Sequence, residues 1–270
     1  MHYPCTGQRL GHLVIAGATG VPQRFYSRFA AFAAGQQFDV WTLDYRGIGL
    51  SRPANLSALR MDYLDWARLD LEALVAHVAH VAHVAAQGDP LWMVGHSYGG
   101  HAFGLLDRHA QVQRFATFAT GAGWHGWMPP LERLRVLFMW RVLGPLIVRA
   151  KGYLAWSVLG MGEDLPRDVF WQWRHWCQWP RYFFDDPEQS GLAAQFARVT
   201  TPILAINATD DKWAPPASRD AFMAAYTHAP VERVTVTPQE LGMAAIGHMD
   251  YFRPQAVRLW QRTLDWLKQG

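Results

Sequence analysis

The chain reads as an α/β protein built on a mostly parallel central sheet, and three observations predict it. Short apolar runs alternate with helical patterns along most of the 270 residues, which calls for crossover connections between parallel neighbours. Several runs end at glycine or start after proline, as buried strands do. One run, Leu91–Val94, leads into Gly95-His96-Ser97-Tyr98-Gly99 and then a further helical pattern, a strand–turn–helix junction with a serine at its apex.

The elements follow in order. His12–Ala16 is a short apolar run and is expected as a buried strand. Pro22–Ala34 carries Phe25, Phe29 and Phe32 at helical spacing. Phe38–Leu43 is the next strand, and Met61–Ala86 a long helix. After the Leu91–Val94 strand, Tyr98–His109 reads as a helix and Phe115–Ala119 as a strand. Pro202–Ile206 is a strand with a proline start, Ala217–Tyr226 a helix, Val231–Val236 a strand and Phe252–Lys268 a closing helix. The interval 124–198 breaks the alternation. It holds eight of the fourteen tryptophans and reads as a mainly helical insertion without a sheet of its own. The expected organisation is therefore a core of residues 1–123 and 199–270, with the tryptophan-rich insertion between.

Composition excludes several classes. Half the residues are hydrophobic and 17% are charged, so a large core forms and disorder is excluded. Lys+Arg 25 against Asp+Glu 22 leaves +3, too mild a surplus for nucleic-acid binding. Cys5 and Cys177 fit neither a disulfide framework nor a metal spacing, so a reducing compartment, the cytoplasm, is the expectation. Met1–Gly11 has no apolar segment after a basic start, and no window offers the roughly 18 apolar residues of a membrane span. His77, His80 and His83 recur every third residue. They lack a further ligand type, so a solvated helix face is preferred over a metal site.

Gly95-His96-Ser97-Tyr98-Gly99 matches G-x-S-x-G. The turn is so tight that the residues two before and two after the serine must be small, as Gly95 and Gly99 are. It lifts the Ser97 hydroxyl above the sheet and aims the Tyr98 N–H at a developing oxyanion. A serine hydroxyl needs a base, and the base an orienting acid. His248, after the last strand in Gly247-His248, is the one histidine of twelve in the right loop. His96 and His101 are expected to pack rather than react. The loop after Ile203–Ile206 offers Asp210 and Asp211. Asp211 is preferred because it precedes x-x-Ala214-Pro215. Asp210 remains the alternative and is otherwise expected to cap the following helix. A second oxyanion donor is expected from the turn Ala16-Gly17-Ala18-Thr19-Gly20, with Ala18 N–H the first choice and Thr19 the second.

Together these residues resemble the α/β-hydrolase superfamily. The GHSYG elbow, the loop Asp44–Ser51 (similar to D-x-R-G-x-G-x-S), Asp211 and Gly247-His248 recur in the family's order, from Leu13 to Leu267. The stretches Ala18–Tyr26, Gly162–Arg167 and Pro180–Asp186 are similar to a bacterial subgroup of predicted hydrolases with no settled substrate. The resemblance implies an α/β-hydrolase fold, a cap formed by residues 124–198 and a Ser97–His248–Asp211 triad. It has two departures. Ala16-Gly17 stands where the family often has His-Gly. Only about ten residues precede the first central strand, where members usually carry an antiparallel pair, so the N-terminal edge of the sheet is expected to be reduced.

The implied activity is that of a serine esterase or lipase-like hydrolase acting through an acyl-enzyme on a small-molecule ester. No cofactor and no metal are expected. An acyltransferase or thioesterase with the same triad is the first alternative, and a catalytically silent binding module the second. Trp124, Trp127 and Trp176 are expected to line an apolar pocket. The five bases of Leu131–Lys151 admit contact with an anionic membrane surface, with a solvated helix preferred. The state expected in solution is a monomer or homodimer.

Overall fold

The computed structural model describes residues 1–86, 88–160 and 162–269. In chain order the elements are β1 (His2–Tyr3), β2 (Gly11–Ala16), α1 (Ser27–Gly35), β3 (Phe38–Thr42), α2 (Glu72–Ala86), β4 (Leu91–His96), α3 (Tyr98–Phe103) and β5 (Arg114–Phe118). Then come α4 (Pro130–Phe138), α5 (Gly144–Lys151), β6 (Tyr153–Leu154), β7 (Leu165–Pro166), α6 (Arg167–Trp176) and α7 (Leu192–Ala197). The chain closes with β8 (Ile203–Ala208), α8 (Pro216–Met223), β9 (Val231–Val236) and α9 (Val257–Leu267).

Among the described residues the main sheet has seven strands in the order β1-β3-β2-β4-β5-β8-β9. All neighbours are parallel except β1, whose two residues pair antiparallel with β3. The fold is that of an α/β hydrolase, and its N-terminal edge consists of that one short strand. The central strands β2, β4 and β8 are buried along their whole length, as strands covered by helices on both faces must be. One apolar cluster lies under α1 and α9, with Phe29, Phe252 and Trp260. The other joins α2 and α3 to the 124–198 insertion through Tyr63, Tyr98 and Trp176, so the insertion shares its core with one face of the sheet.

Several elements are shorter than their patterns suggest. Helical structure begins near Trp66 rather than Met61, because Asp62 accepts from Leu64 N–H and Asp65 from Asp62 N–H, turns that compete with a helix. A π turn over Trp66–Leu71 then leads into α2. His77, His80 and His83 stand exposed on α2. The helix after the elbow stops at Phe103, where the Phe196 ring packs against the bare Cα of Gly104. Pro254, with no N–H, delays the closing helix to Val257. The insertion is mainly helical but does contain strand: β6 and β7 pair antiparallel over two residues. Among the described residues no helix is long and apolar enough to cross a membrane.

Candidate active site

Parallel strands deliver their following loops to one edge of the sheet, and the strand order reverses at β2, the place where open α/β sheets bind ligands. Ala18–Gly20 follow β2, Ser97 follows β4, Asp211 follows β8 and His248 follows β9. Because β2 and β4 are paired, with Ala16 opposite Gly95, the first two loops lie side by side.

The elbow is held open by glycine. A Cβ on Gly95 would stand 2.6 Å from the Gly99 carbonyl carbon, and one on Gly99 would overlap the Ala16 carbonyl. Ser97 sits at φ 51°, ψ −106°, a conformation that costs an L-residue energy and persists only where its surroundings enforce it. Its N–H is tied to the Phe118 carbonyl at 2.9 Å.

Ser97 Oγ lies 3.0 Å from His248 Nε2. His248 Nδ1 lies 2.9 Å from Asp211 Oδ2 and 3.1 Å from Oδ1. The three side chains singled out in the sequence therefore form one continuous hydrogen-bonded line. Asp211 also accepts from the Trp213 and Ala214 N–H groups, each at 2.9 Å. Burial on its own raises the Asp211 pKa. The His248 charge and side-chain hydrogen bond, with the Ala214 and Trp213 amides, outweigh burial and hold the carboxyl below its ordinary value.

Asp210 does not cap α8. It accepts from Ile246 N–H at 2.9 Å and Gly247 N–H at 3.1 Å, fixing the loop that carries His248. The two aspartates divide the work: one meets the imidazole, the other its backbone.

His96 is more than a packing residue. Its Nδ1 lies 2.9 Å from Tyr26 Oη and its Nε2 2.8 Å from the His248 carbonyl. Burial, with the His248 charge adding to it, pushes its pKa down to about 3, so the ring is neutral and has one proton. A carbonyl can only accept, so that proton is on Nε2 and Tyr26 O–H donates to Nδ1. Tyr26 Oη in turn accepts from Ala18 N–H at 2.8 Å. A single neutral network therefore runs from the loop after β2 to the backbone of His248.

In the first loop the two candidate donors differ in what their N–H groups meet. Ala18 is buried and its N–H is engaged by Tyr26 Oη. Among the described residues neither the Thr19 nor the Tyr98 N–H has an acceptor. Asp44, in the loop similar to D-x-R-G-x-G-x-S, accepts from Gln23 N–H and Leu50 N–H, bracing the segment just beyond.

A cavity of about 370 Å³ opens over Ser97 and His248. Its walls are mainly apolar: Val21, Phe25, Ala119, Trp156, Trp173, Trp213 and Met249, with His101 among them. His101 Nε2 donates to the Gly121 carbonyl at 2.8 Å, so this histidine too is fixed by hydrogen bonding rather than by packing alone. The tryptophans expected to line the pocket lie elsewhere. Trp176 is fully buried, stacked on Tyr63 with its Nε1 on Asp186. Trp124 meets Trp127 edge to face, and Trp127 donates to the Pro180 carbonyl. Trp213 had a readable signal, since it stands two residues after the acid. Trp156 and Trp173 had none beyond their place in the insertion.

The sequence pattern of the alpha/beta hydrolase family matches residues 13–258. No curated protein sequence matches the chain. Among solved structures, a soluble variant of monoglyceride lipase from Saccharomyces cerevisiae is similar at TM-score 0.72 and 15% identity, over 99% of this chain and 90% of that one. Monoacylglycerol lipase from Paleococcus ferrophilus is similar at TM-score 0.61 and 12% identity, over 99% and 97%. The thioesterase domain from the curacin biosynthetic pathway is similar at 0.57 and 13%, over 97% and 93%.

Proposed function

The chain belongs to the alpha/beta hydrolase family, and from that premise we propose that it is a serine hydrolase cleaving a carboxylic ester with an apolar acyl or aromatic group. The observation that carries the proposal is the line Ser97 Oγ–His248 Nε2, His248 Nδ1–Asp211 Oδ2, at 3.0 and 2.9 Å.

In this reading His248 takes the Ser97 proton as Oγ attacks the ester carbonyl carbon. Asp211 keeps Nδ1 protonated, so that Nε2 is the free base, and stabilises the imidazolium that forms. The Thr19 and Tyr98 N–H groups receive the oxyanion, each worth about a hundredfold or more in turnover. His248 then gives its proton to the leaving alkoxide, and water, activated in the same way, releases the acid and restores Ser97. The 124–198 insertion acts as the cap, with Trp156 and Trp173 in the substrate cavity. Those aromatic walls favour an apolar acyl chain over a charged one.

A fluorophosphonate probe tests the proposal. Wild type is expected to label and Ser97→Ala not to; a wild type that stays unlabelled contradicts it and favours a binding module. Product analysis with an added alcohol separates hydrolysis from acyl transfer, and acyl-thioester substrates test the thioesterase alternative.

A further inference from the structure

We propose that the α4–α5 helix is an interfacial anchor that lays the protein on an anionic lipid surface. α4, a π turn over Met139–Leu143 and α5 run without interruption from Pro130 to Lys151. Five large apolar side chains on it are exposed: Leu131 63%, Leu134 66%, Phe138 56%, Val142 43% and Leu146 60%.

Their spacing is three, four, four and four. In a regular α-helix each step of four overshoots a full turn by about 40°, so the row would wind away from its starting face. The π turn, with its wider i→i+5 closure, lies in the middle of the row and takes up that drift. The five side chains thus form one stripe along the helix. The opposite face is buried by Val136, Met139, Trp140 and Val148, so the stripe is surplus to the fold.

Charge identifies the occupant. Residues 131–151 carry five bases, Arg133, Arg135, Arg141, Arg149 and Lys151, against one acid, Glu132. Among the described residues only Arg135 has a carboxylate within reach, Glu132 at 3.7 Å. An apolar row flanked by unpaired bases suits an anionic bilayer interface. A symmetric pair of chains joined through this face would oppose four surplus positive charges with four more. The five side chains stand exposed along one helix, a shape that a fluid interface accommodates.

The buried face connects the anchor to the cavity. Trp140 meets Trp173 edge to face, with centroids 4.8 Å apart, and Trp173 lines the cavity over Ser97. One layer of side chains separates the lipid-facing helix from that wall. The anchor rests on its own observations and stands whether or not the chain is an esterase.

Co-sedimentation of the full chain with vesicles, without substrate, is the test. Wild type is expected to pellet with phosphatidylcholine vesicles containing about a third phosphatidylserine, to bind neutral vesicles much less, and to be released by salt. Leu134→Glu with Phe138→Glu should weaken binding at least about tenfold. Arg141→Gln with Lys151→Gln should weaken it roughly fivefold per base. All four positions are exposed and outside the catalytic machinery, so folding and ester turnover should be unchanged. Three results overturn the proposal: no binding to anionic vesicles at low salt, equal binding to neutral ones, or indifference to the apolar pair. A wild-type dimer that Leu134→Glu/Phe138→Glu dissociates would also overturn it, assigning the stripe to a second copy.

Discussion

Replacing each of the neighbouring aspartates by asparagine separates their roles. In Asp211→Asn one oxygen remains to accept from the Trp213 and Ala214 N–H groups, both now on Oδ1. The amide nitrogen then takes the place of Oδ2, 2.9 Å from His248 Nδ1. An NH₂ there can only donate, so Nδ1 must accept and the ring proton moves to Nε2, where it faces Ser97 Oγ. The base is lost while the geometry stays. By analogy with other triads the loss in turnover is about 10³- to 10⁴-fold, or about 4–5.5 kcal/mol of barrier. In Asp210→Asn one of two backbone N–H contacts is lost, about 1.5–3 kcal/mol of stability. The His96 bond to the His248 carbonyl still holds the loop, so turnover should stay within about tenfold. Single-turnover release of chromophore from a short-chain nitrophenyl ester, with melting curves for each variant, reads both effects. Equal losses in turnover, or a larger loss for Asp210→Asn, would refute the assignment of the acid.

Tyr26→Phe keeps the buried ring but strands Ala18 N–H and His96 Nδ1. The expected cost is about 2–4 kcal/mol, roughly 4–8 °C in melting temperature, with a several-fold drop in kcat; an unchanged melting temperature would count against the network. His96 and His101 are pushed down by burial to about 3 and about 4, from an ordinary 6.5. The native state therefore refuses protons that the unfolded chain takes up below pH 6.5. Their contribution is fully present above that pH and lost as pH falls toward 4, at about 1.4 kcal/mol per pH unit for each histidine. Urea unfolding between pH 6.5 and 5 should show roughly 3 kcal/mol of destabilisation from the pair, and His101→Gln should remove about half of it. Trp156→Ala enlarges the cavity and should move the kcat/KM optimum of a nitrophenyl ester series to longer acyl chains. An unaltered profile would show that the acyl group binds elsewhere.

The amino-acid sequence by itself determined the features whose causes are local. Apolar runs of strand length fell within a residue or two of the central strands, because a strand covered on both faces has no alternative to being apolar. Ser97 was legible because its strained turn requires glycine two residues before and two after it, a requirement confined to five positions. His248 and Asp211 followed from their places after the last strands. The tertiary structure alone decided what depends on contacts between distant segments. That Ala18 N–H is engaged needed the buried Tyr26 hydroxyl to turn back from just before α1, and the role of His96 needed a carbonyl 152 residues away. Which tryptophans face the cavity depended on how the insertion packs: Trp173 and Trp176 lie on one helix, yet one lines the cavity and the other stacks on Tyr63. Periodicity records that a side chain is apolar and roughly which way its helix turns. What stands opposite it is set by long-range packing, and no local pattern encodes that.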